Sequence, residues 1–520
     1  MMNPNNPLTP GVYIQELSAF PNSIVEVETA VPVFIGYTQK ADYNGENLLM
    51  KPVQLASMND YINFFGGASN YKLDIAVTTD PNPDFSLTVN GTLNHYAFSY
   101  QANTNYYLYN CMQLFYQNGG GKCYIVSAGA YPVANGPIVS DLITALNKTA
   151  NVDDITLICI PDSLLLDVDN YNNVNTTMLA ACNTTQSRFA LFDIYGGDKF
   201  KNAEDLNANP DDNLIVNFRT AIGENFLNYG AAYFPWLQTS ISDKTDITLS
   251  NFDVTFISSL IEIDKYGVNQ GVLTKLVTPI AAAAKTYAGD FTDDTGKAIA
   301  KAHNSLLAIS NNYSSVVKAA IKFINILPVA PAMAGIYTMV DSNRGVWKAP
   351  ANVSVNAVIN PMYNFTDDEQ GAVFNLNVDP DTGKSINIIR SFPGIGTMVW
   401  GARTLDGNSQ DWKYINVRRT MIMIEQSVKQ AARAYVFEPN VANTWITIQC
   451  MLGNFLNDLW KQGALAGATP TDAFSVSVGL GTTMTADDIL LGIMRITVLV
   501  AISHPAEFLI FTFEQQMQKS

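Results

Sequence analysis

The chain has 520 residues and a net charge of −16, an acidic balance that excludes a protein whose work is gripping nucleic-acid phosphates. Its apolar content of 48% and charged content of 15% describe a folded chain of roughly two to four domains, not a disordered one. A lone soluble enzyme would carry about a quarter charged residues, so the low fraction hints that part of the surface is covered. The five cysteines, Cys111, Cys123, Cys159, Cys182 and Cys450, form no CxxC pair and read as buried free thiols in a reducing compartment.

In chain order, Pro4, Pro7, Pro10 and Gly11 mark an extended arm. Val12-Tyr13-Ile14-Gln15-Glu16-Leu17 follows with strand composition, too short to be stable alone. Val25 and Val27 alternate with Glu26 and Glu28, which predicts a strand over Ile24 to Thr29, and Val31 to Tyr37 predicts another that enters the core. The Asn-, Asp- and Thr-rich stretch 66–100 reads as a β insertion at the surface.

From about 105 to 240 the pattern becomes α/β. A Tyr-rich helix (Tyr106 to Tyr116) leads through Asn118-Gly119-Gly120-Gly121 into a strand at Cys123 to Ser127. Further apolar runs at Ile155 to Ile160 and Arg188 to Asp193 end in Pro161-Asp162 and Tyr195-Gly196-Gly197, which predicts a parallel or mixed sheet. Residues 240–330 read as a helical insertion, with an Ala-rich helix at Ile280 to Tyr287 and another at Ser314 to Ile326. Met421, Ile424, Val428, Ala431 and Tyr435 make one apolar helical stripe; Trp445, Ile448, Leu452, Phe455 and Leu459 make a second. Two strands close the chain, at Arg495 to Ile502 and Glu507 to Phe513. The expected class is α/β (α+β), multidomain, with mixed sheets flanked by helices.

Chemical motifs are weak. Asn118-Gly119-Gly120-Gly121-Lys122-Cys123 brushes against a phosphate loop, but it lies after a helix and before a strand, so a tight turn is the better reading. The acidic clusters at Asp293-Asp294, Asp367-Asp368-Glu369 and Asp379 to Gly383 lack the calcium-loop pattern and read as solvated turns. The histidines, His95, His303 and His504, have no partner at ligand spacing, so no metal site, cofactor or catalytic residue is expected. Met1-Met2-Asn3-Pro4 has no basic n-region and no apolar h-region, so no secretory signal is expected. The most apolar stretch, Ile493 to Phe513, is broken by Arg495, His504, Pro505 and Glu507, which argues against membrane insertion. Cytoplasmic assembly is therefore expected.

The two chain ends stand out. Both carry strand-like segments without an obvious local partner, and an open strand edge either pairs within its own subunit or completes the sheet of a neighbour. Residue pattern leaves both readings open. If copies assemble, local basic residues such as Arg418, Arg419, Lys429 and Arg433 must meet the acidic excess.

Several segments resemble the phage tail sheath family. They are Thr9 to Glu16 followed by Val31 to Thr38; Gly345-Val346-Trp347-Lys348-Ala349-Pro350; Trp400 to Leu405; Tyr414 to Arg419; Phe437-Glu438-Pro439-Asn440; Leu459 to Pro470; Thr483-Met484-Thr485; and Pro505 to Phe508. The style is closer to the sheaths of bacterial phage tail-like injection systems than to one phage. The resemblance implies a structural, non-enzymatic subunit that stacks as hexameric rings around an inner tube and contracts to drive the tube through a target envelope. Implied partners are other copies of the chain, the inner tube protein, baseplate and terminal cap proteins, and sister sheath proteins. The particle would be released or envelope-anchored.

It also implies a division of the chain. Residues 1–25 would be an N-terminal arm, 26–340 an outer domain, 341–384 a connector, 385–505 a tube-facing core and 506–520 a C-terminal arm. The arm strands would be Val12, Tyr13, Ile14, Gln15, Glu16 and Leu17, and Glu507, Phe508, Leu509, Ile510, Phe511, Thr512 and Phe513. Arg418, Arg419, Lys429 and Arg433 would be tube or lattice contacts. The competing readings are another self-assembling shell, capsid-like or surface-layer, and a cytoplasmic α/β enzyme built on 105–240.

Overall fold

Seven consecutive buried residues, Pro32–Thr38, form β1 and sit in the middle of a large sheet. A strand buried on both faces reads as one apolar run, and parallel sheets covered by helices require that. The computed structural model describes residues 24–89, 92–133, 136–202, 213–253, 256–257, 283–284 and 293–510. They divide into two compact units, one of residues 28–419 and one of 24–27 with 420–510.

After β1 come β2 (Val53–Leu55), α1 (Met58–Phe65), β3 (Leu73–Val77), β4 (Phe85–Val89), β5 (Thr92–Tyr100), α2 (Leu108–Gln117), β6 (Cys123–Ala130) and α3 (Val139–Lys148). Then follow β7 (Leu157–Cys159), α4 (Val168–Thr185), β8 (Phe189–Asp193), α5 (Leu214–Ala221), β9 (Gly230–Phe234), α6 (Asp294–Ile309), α7 (Asn311–Ile324) and α8 (Ala330–Arg344). The sheet closes with β10 (Asn387–Phe392) and β11 (Gly396–Trp400). Among the described residues its order is β11-β10-β9-β8-β7-β1-β6-β2, parallel from β10 to β6 with antiparallel strands at both ends. The expected mixed sheet flanked by helices is observed. Ile388 and Ile389 of β10 are buried in the sheet, and the second compact unit starts at 420.

Helices α2 and α8 pack together on one face of this sheet, and α3 and α4 pack together on strands of the same sheet. Gly335 of α8 makes the first pairing possible: a Cβ there would stand 2.4 Å from the Phe115 carbonyl oxygen of α2. Neither α2 nor α8 has a local side-chain cap. Instead, buried carboxylates from the ends of parallel strands take their first N–H groups. Asp162, just after β7, accepts from the N–H groups of Tyr107 at 2.7 Å, Leu108 at 3.2 Å and Tyr37 at 2.7 Å. Asp193, ending β8, accepts from those of Val329 at 2.5 Å and Ala330 at 3.0 Å.

The antiparallel sheet β3-β5-β4 packs on α6 and α7, so stretches far apart in sequence share a second core with Leu73, Phe98, Leu306 and Val317. In it His303 Nδ1 meets the Tyr313 hydroxyl at 2.8 Å, and burial holds its imidazole down near about 4, so it is neutral at pH 7. The Ala-rich helix expected at Ile280 to Tyr287 lies largely outside the described residues. The strand expected at Ile24 to Thr29 is not formed. Its hydrogen bonds go to side chains: Val27 N–H donates to Ser427 Oγ at 3.1 Å, and Thr29 Oγ1 to Asp341 Oδ2 at 2.6 Å.

Candidate assembly interface

The second unit starts within α9 (Ile415–Ala432) and holds α10 (Ala442–Lys461) and the strands β12 (Phe474–Val478) and β13 (Ile496–Val500). Of the stripe expected on α10, Ile448, Leu452, Phe455 and Leu459 are buried, joined by Met451 and Leu456, while Trp445 is only half-buried. Beneath it β12 and β13 form an antiparallel ladder in register from Phe474 opposite Val500 to Val478 opposite Ile496. Among the described residues this ladder has only two strands, so each has an edge with no strand beside it. Two strands alone are marginal in water, and alternating Val and Ile at such an edge invites a further strand.

The last described residues lead away from that ladder. Glu507, Phe508, Leu509 and Ile510 were expected as a strand, but they are not one within the isolated chain; Phe508 is 69% exposed and Ile510 90%. Phe511, Thr512 and Phe513, like Val12 to Leu17, lie outside the described residues.

The basic quartet divides. Arg418 and Arg419 are buried in the larger unit and so are not free surface contacts there. The Arg418 guanidinium stacks over Tyr229 at 4.2 Å and Trp412 at 4.8 Å. Arg419 pairs with Asp341 and lies over Tyr337. Consecutive arginines at a helix start look like a surface patch in sequence; aromatic and acidic residues far away in the chain draw them inward. Lys429 and Arg433 are exposed.

Sequence reasoning ended the first helix before Glu438-Pro439-Asn440 but assigned no role to the turn between α9 and α10. Phe437, quoted above only as part of a motif, is fully exposed and holds φ +73°. Leu490, which ends a short helix (Ala486–Leu490), and Leu491 just after it are 84% and 74% exposed in the same unit. A signal existed: Leu490-Leu491 stands between Asp487-Asp488 and Gly492, a charged and flexible context for two leucines.

The α/β region offers a different chemistry. In an open α/β sheet, ligands sit outside the carboxyl ends of strands where strand order reverses. Here the reversal falls between β1 and β7, and the chain's own Asp162 occupies it, accepting from the Tyr37 N–H near the end of β1 and from the Tyr107 N–H at the start of α2. Gly36 is needed for this closure, since a Cβ there would lie 2.4 Å from Asp162 Oδ2. Asn118 to Lys122 is a turn from α2 to β6, with Gly119 at φ +89°. Lys122 bridges Glu28 at 2.6 Å and Asp154 at 3.0 Å.

Residues 408–516 match the family model for the phage tail sheath C-terminal domain. The matched stretch takes in α9, α10, the β12–β13 ladder and the exposed turns just described. A curated relative, described as a prophage major tail sheath protein of Pseudomonas aeruginosa (strain UCBPP-PA14), is 24% identical over 141 residues. That match spans 26% of this chain and 34% of the relative, so the chain covers about a third of its length. Two solved structures cover nearly the whole chain. The sheath complex of an extracellular contractile injection system, PVC, in the contracted state is 25% identical with a TM-score of 0.58, covering 98% of each chain. The helical sheath of the anti-feeding prophage, also contracted, is 25% identical with a TM-score of 0.58, covering 98% of this chain and 100% of that one. Among the described residues, no helix is long and apolar enough to cross a membrane.

Proposed function

We propose that this chain is the sheath subunit of a contractile, phage tail-like injection system and does mechanical work without covalent chemistry. One observation carries the reading beyond likeness: among the described residues, the C-terminal unit holds a two-stranded ladder with open edges, followed by a terminal segment whose apolar side chains are exposed. Strand addition joins such features across copies, with backbone hydrogen bonds supplying affinity and alternating side chains setting register. On this reading, Val12 to Leu17 and Glu507 to Phe513 are links that add to β12–β13 of neighbouring copies.

The copies then stack as hexameric rings around an inner tube, between a baseplate and a terminal cap. Contraction needs no fuel at firing, because a contracted lattice that buries more surface than the extended one lies lower in free energy. Sister sheath proteins would share the tube. Assembly takes place in the cytoplasm, and the finished particle is released or anchored at the envelope. Residues 385–505 provide the tube-facing body; stretches 66–100 and 240–330 face outward.

Deleting residues 1–17 tests the reading. Negative-stain microscopy of the full chain with its tube partner is expected to show striated tubes with a wide lumen. The truncated chain should stay folded by circular dichroism and form none. Normal contracted tubes from the truncated chain would refute the linking arms, and a full chain that stays monomeric would refute the sheath reading itself.

A further inference from the structure

Beside the crevice that Asp162 closes lies a second hollow, beyond the carboxyl ends of β7, β8 and β9, which are neighbours in the sheet. The segments after β8 and β9 supply Tyr195, Asp198 and Trp236 to its wall. Tyr100, ending β5, and Tyr107, just before α2, line it from the other side. Its volume is about 270 Å³, below the roughly 300–1,000 Å³ of clefts that take drug-sized ligands, so it suits a small molecule.

The wall is set by bonds of its own. Trp236 Nε1 donates to Ile194 O at 3.0 Å, and its ring meets that of Tyr107 edge-on with centroids 5.6 Å apart. The Tyr195 hydroxyl donates to Leu166 O at 3.0 Å. Asp198 is charged, partly buried and forms no ion pair among the described residues. Burial raises its carboxyl above the usual 3.8, against the pull of Lys199 and of two backbone N–H groups. Lys199 is exposed, so solvent screens most of its effect. The aromatic groups feel the Asp198 charge: after burial, it is the next cause that raises the hydroxyls of Tyr100, Tyr107 and Tyr195.

We propose that this hollow binds a small organic ammonium ion, with Asp198 as its counter-ion and Tyr100, Tyr107, Tyr195 and Trp236 as its aromatic wall. Both features select a cation. A partly buried carboxylate without a counter-ion gains from one more than an exposed carboxylate does, and aromatic rings attract an ammonium group through their quadrupole. A metal ion fits poorly, because it takes several oxygen, nitrogen or sulfur ligands; among the described residues, no three Asp, Glu, His or Cys side chains gather to hold one. The site is independent of the sheath reading.

Choline and dimethylbutanol, its uncharged carbon isostere, separate charge from shape in calorimetric titrations of the full chain. Choline is expected to bind with a Kd of about 1 mM or lower, and the isostere about tenfold more weakly or worse. Equal affinities would show a hollow indifferent to charge, and no binding of choline up to about 10 mM would show no site; either result overturns the proposal. Asp198→Asn keeps the size of the side chain and removes its charge. It should weaken choline about tenfold or more and leave the isostere unchanged, with the fold checked by circular dichroism. Unchanged choline affinity in that variant would also overturn the assignment. Tube formation, read by microscopy on the same preparations, decides the sheath reading separately.

Discussion

Arg419 grips Asp341 through two charge-assisted hydrogen bonds, Nη1 to Oδ1 at 3.0 Å and Nη2 to Oδ2 at 2.5 Å, with both side chains almost wholly buried. Arg419 Nη2 also donates to Thr29 O at 3.0 Å, while Thr29 Oγ1 donates to Asp341 Oδ2 at 2.6 Å. One fork thus ties the start of α9, the end of α8 and the chain just before β1.

Removing one partner of this pair should be severe. Asp341→Ala leaves a guanidinium buried without its counter-ion, which typically costs about 3–5 kcal/mol. Urea unfolding is expected to show that loss. The double variant Asp341→Leu, Arg419→Met should recover most of it; a double variant as unstable as Asp341→Ala would mean that Thr29 and geometry matter more than charge.

The two capping carboxylates should answer differently to amide replacement. Asp193 takes both of its N–H groups on Oδ1, so Asp193→Asn keeps both acceptors and, at about pH 4 where the folded carboxyl is still protonated, is expected to stay within about 1 kcal/mol of the unaltered chain. Asp162 uses both oxygens, Oδ1 for Tyr107 and Leu108 and Oδ2 for Tyr37. Either amide orientation then sets an NH2 against a backbone N–H, which should cost about 1–3 kcal/mol.

Burial raises the Asp193 carboxyl from 3.8 to about 7 against the opposing pull of its two N–H donors, and that of Asp162 to about 6. A raised folded-state value means that the folded chain holds the proton more tightly than the unfolded one. This stabilisation is present in full below 3.8 and lost as pH rises through about 7 for Asp193. Asp193→Asn should therefore flatten the pH dependence of urea midpoints between pH 4 and pH 7, roughly the interval between the two values. An unchanged profile would show that Asp193 does not titrate there.

Gly335→Ala tests the close approach of α8 to α2. Alanine normally favours a helix interior over glycine by about 0.5–1 kcal/mol, but here its Cβ would meet Phe115 O at 2.4 Å. Overpacking should win, with a net loss of about 1–3 kcal/mol in thermal or urea unfolding. A gain in stability would show that the two helices can separate freely.

Deleting residues 506–520 should barely move the unfolding midpoint, since Phe508, Leu509 and Ile510 are largely exposed in the isolated chain. The same deletion is expected to abolish tube formation seen by microscopy. A large drop in midpoint would instead place this segment in its own subunit's fold.

Much of the architecture was readable from local pattern. Apolar runs marked β1, β6, β7 and β8, the last two by the Pro or Gly that follows them, and the stripe from Trp445 to Leu459 marked α10, because burial on a helix or strand imposes its period on the residues themselves. The turn at Asn118 to Gly121 was readable for the same local reason. The common core of β3–β5 with α6 and α7 was not, since nothing in residues 66–100 records which distant helices will cover them. Nor was the burial of Arg418 and Arg419. Their charge argues for solvent until Tyr229, Trp412 and Asp341 arrive from elsewhere in the chain.

By itself, the sequence determined the elements, the acidic balance and the presence of strand-like ends, all properties of neighbouring residues. Tertiary structure alone decided which groups found partners. It closed the α/β crevice with Asp162, turned two surface-looking arginines into interior ties and, among the described residues, left Phe437 exposed and β12–β13 without a third strand. Pairing depends on distance in space, and groups a hundred or more residues apart, such as the Asp162 carboxylate and the Tyr37 backbone N–H, meet only when the whole sheet has formed.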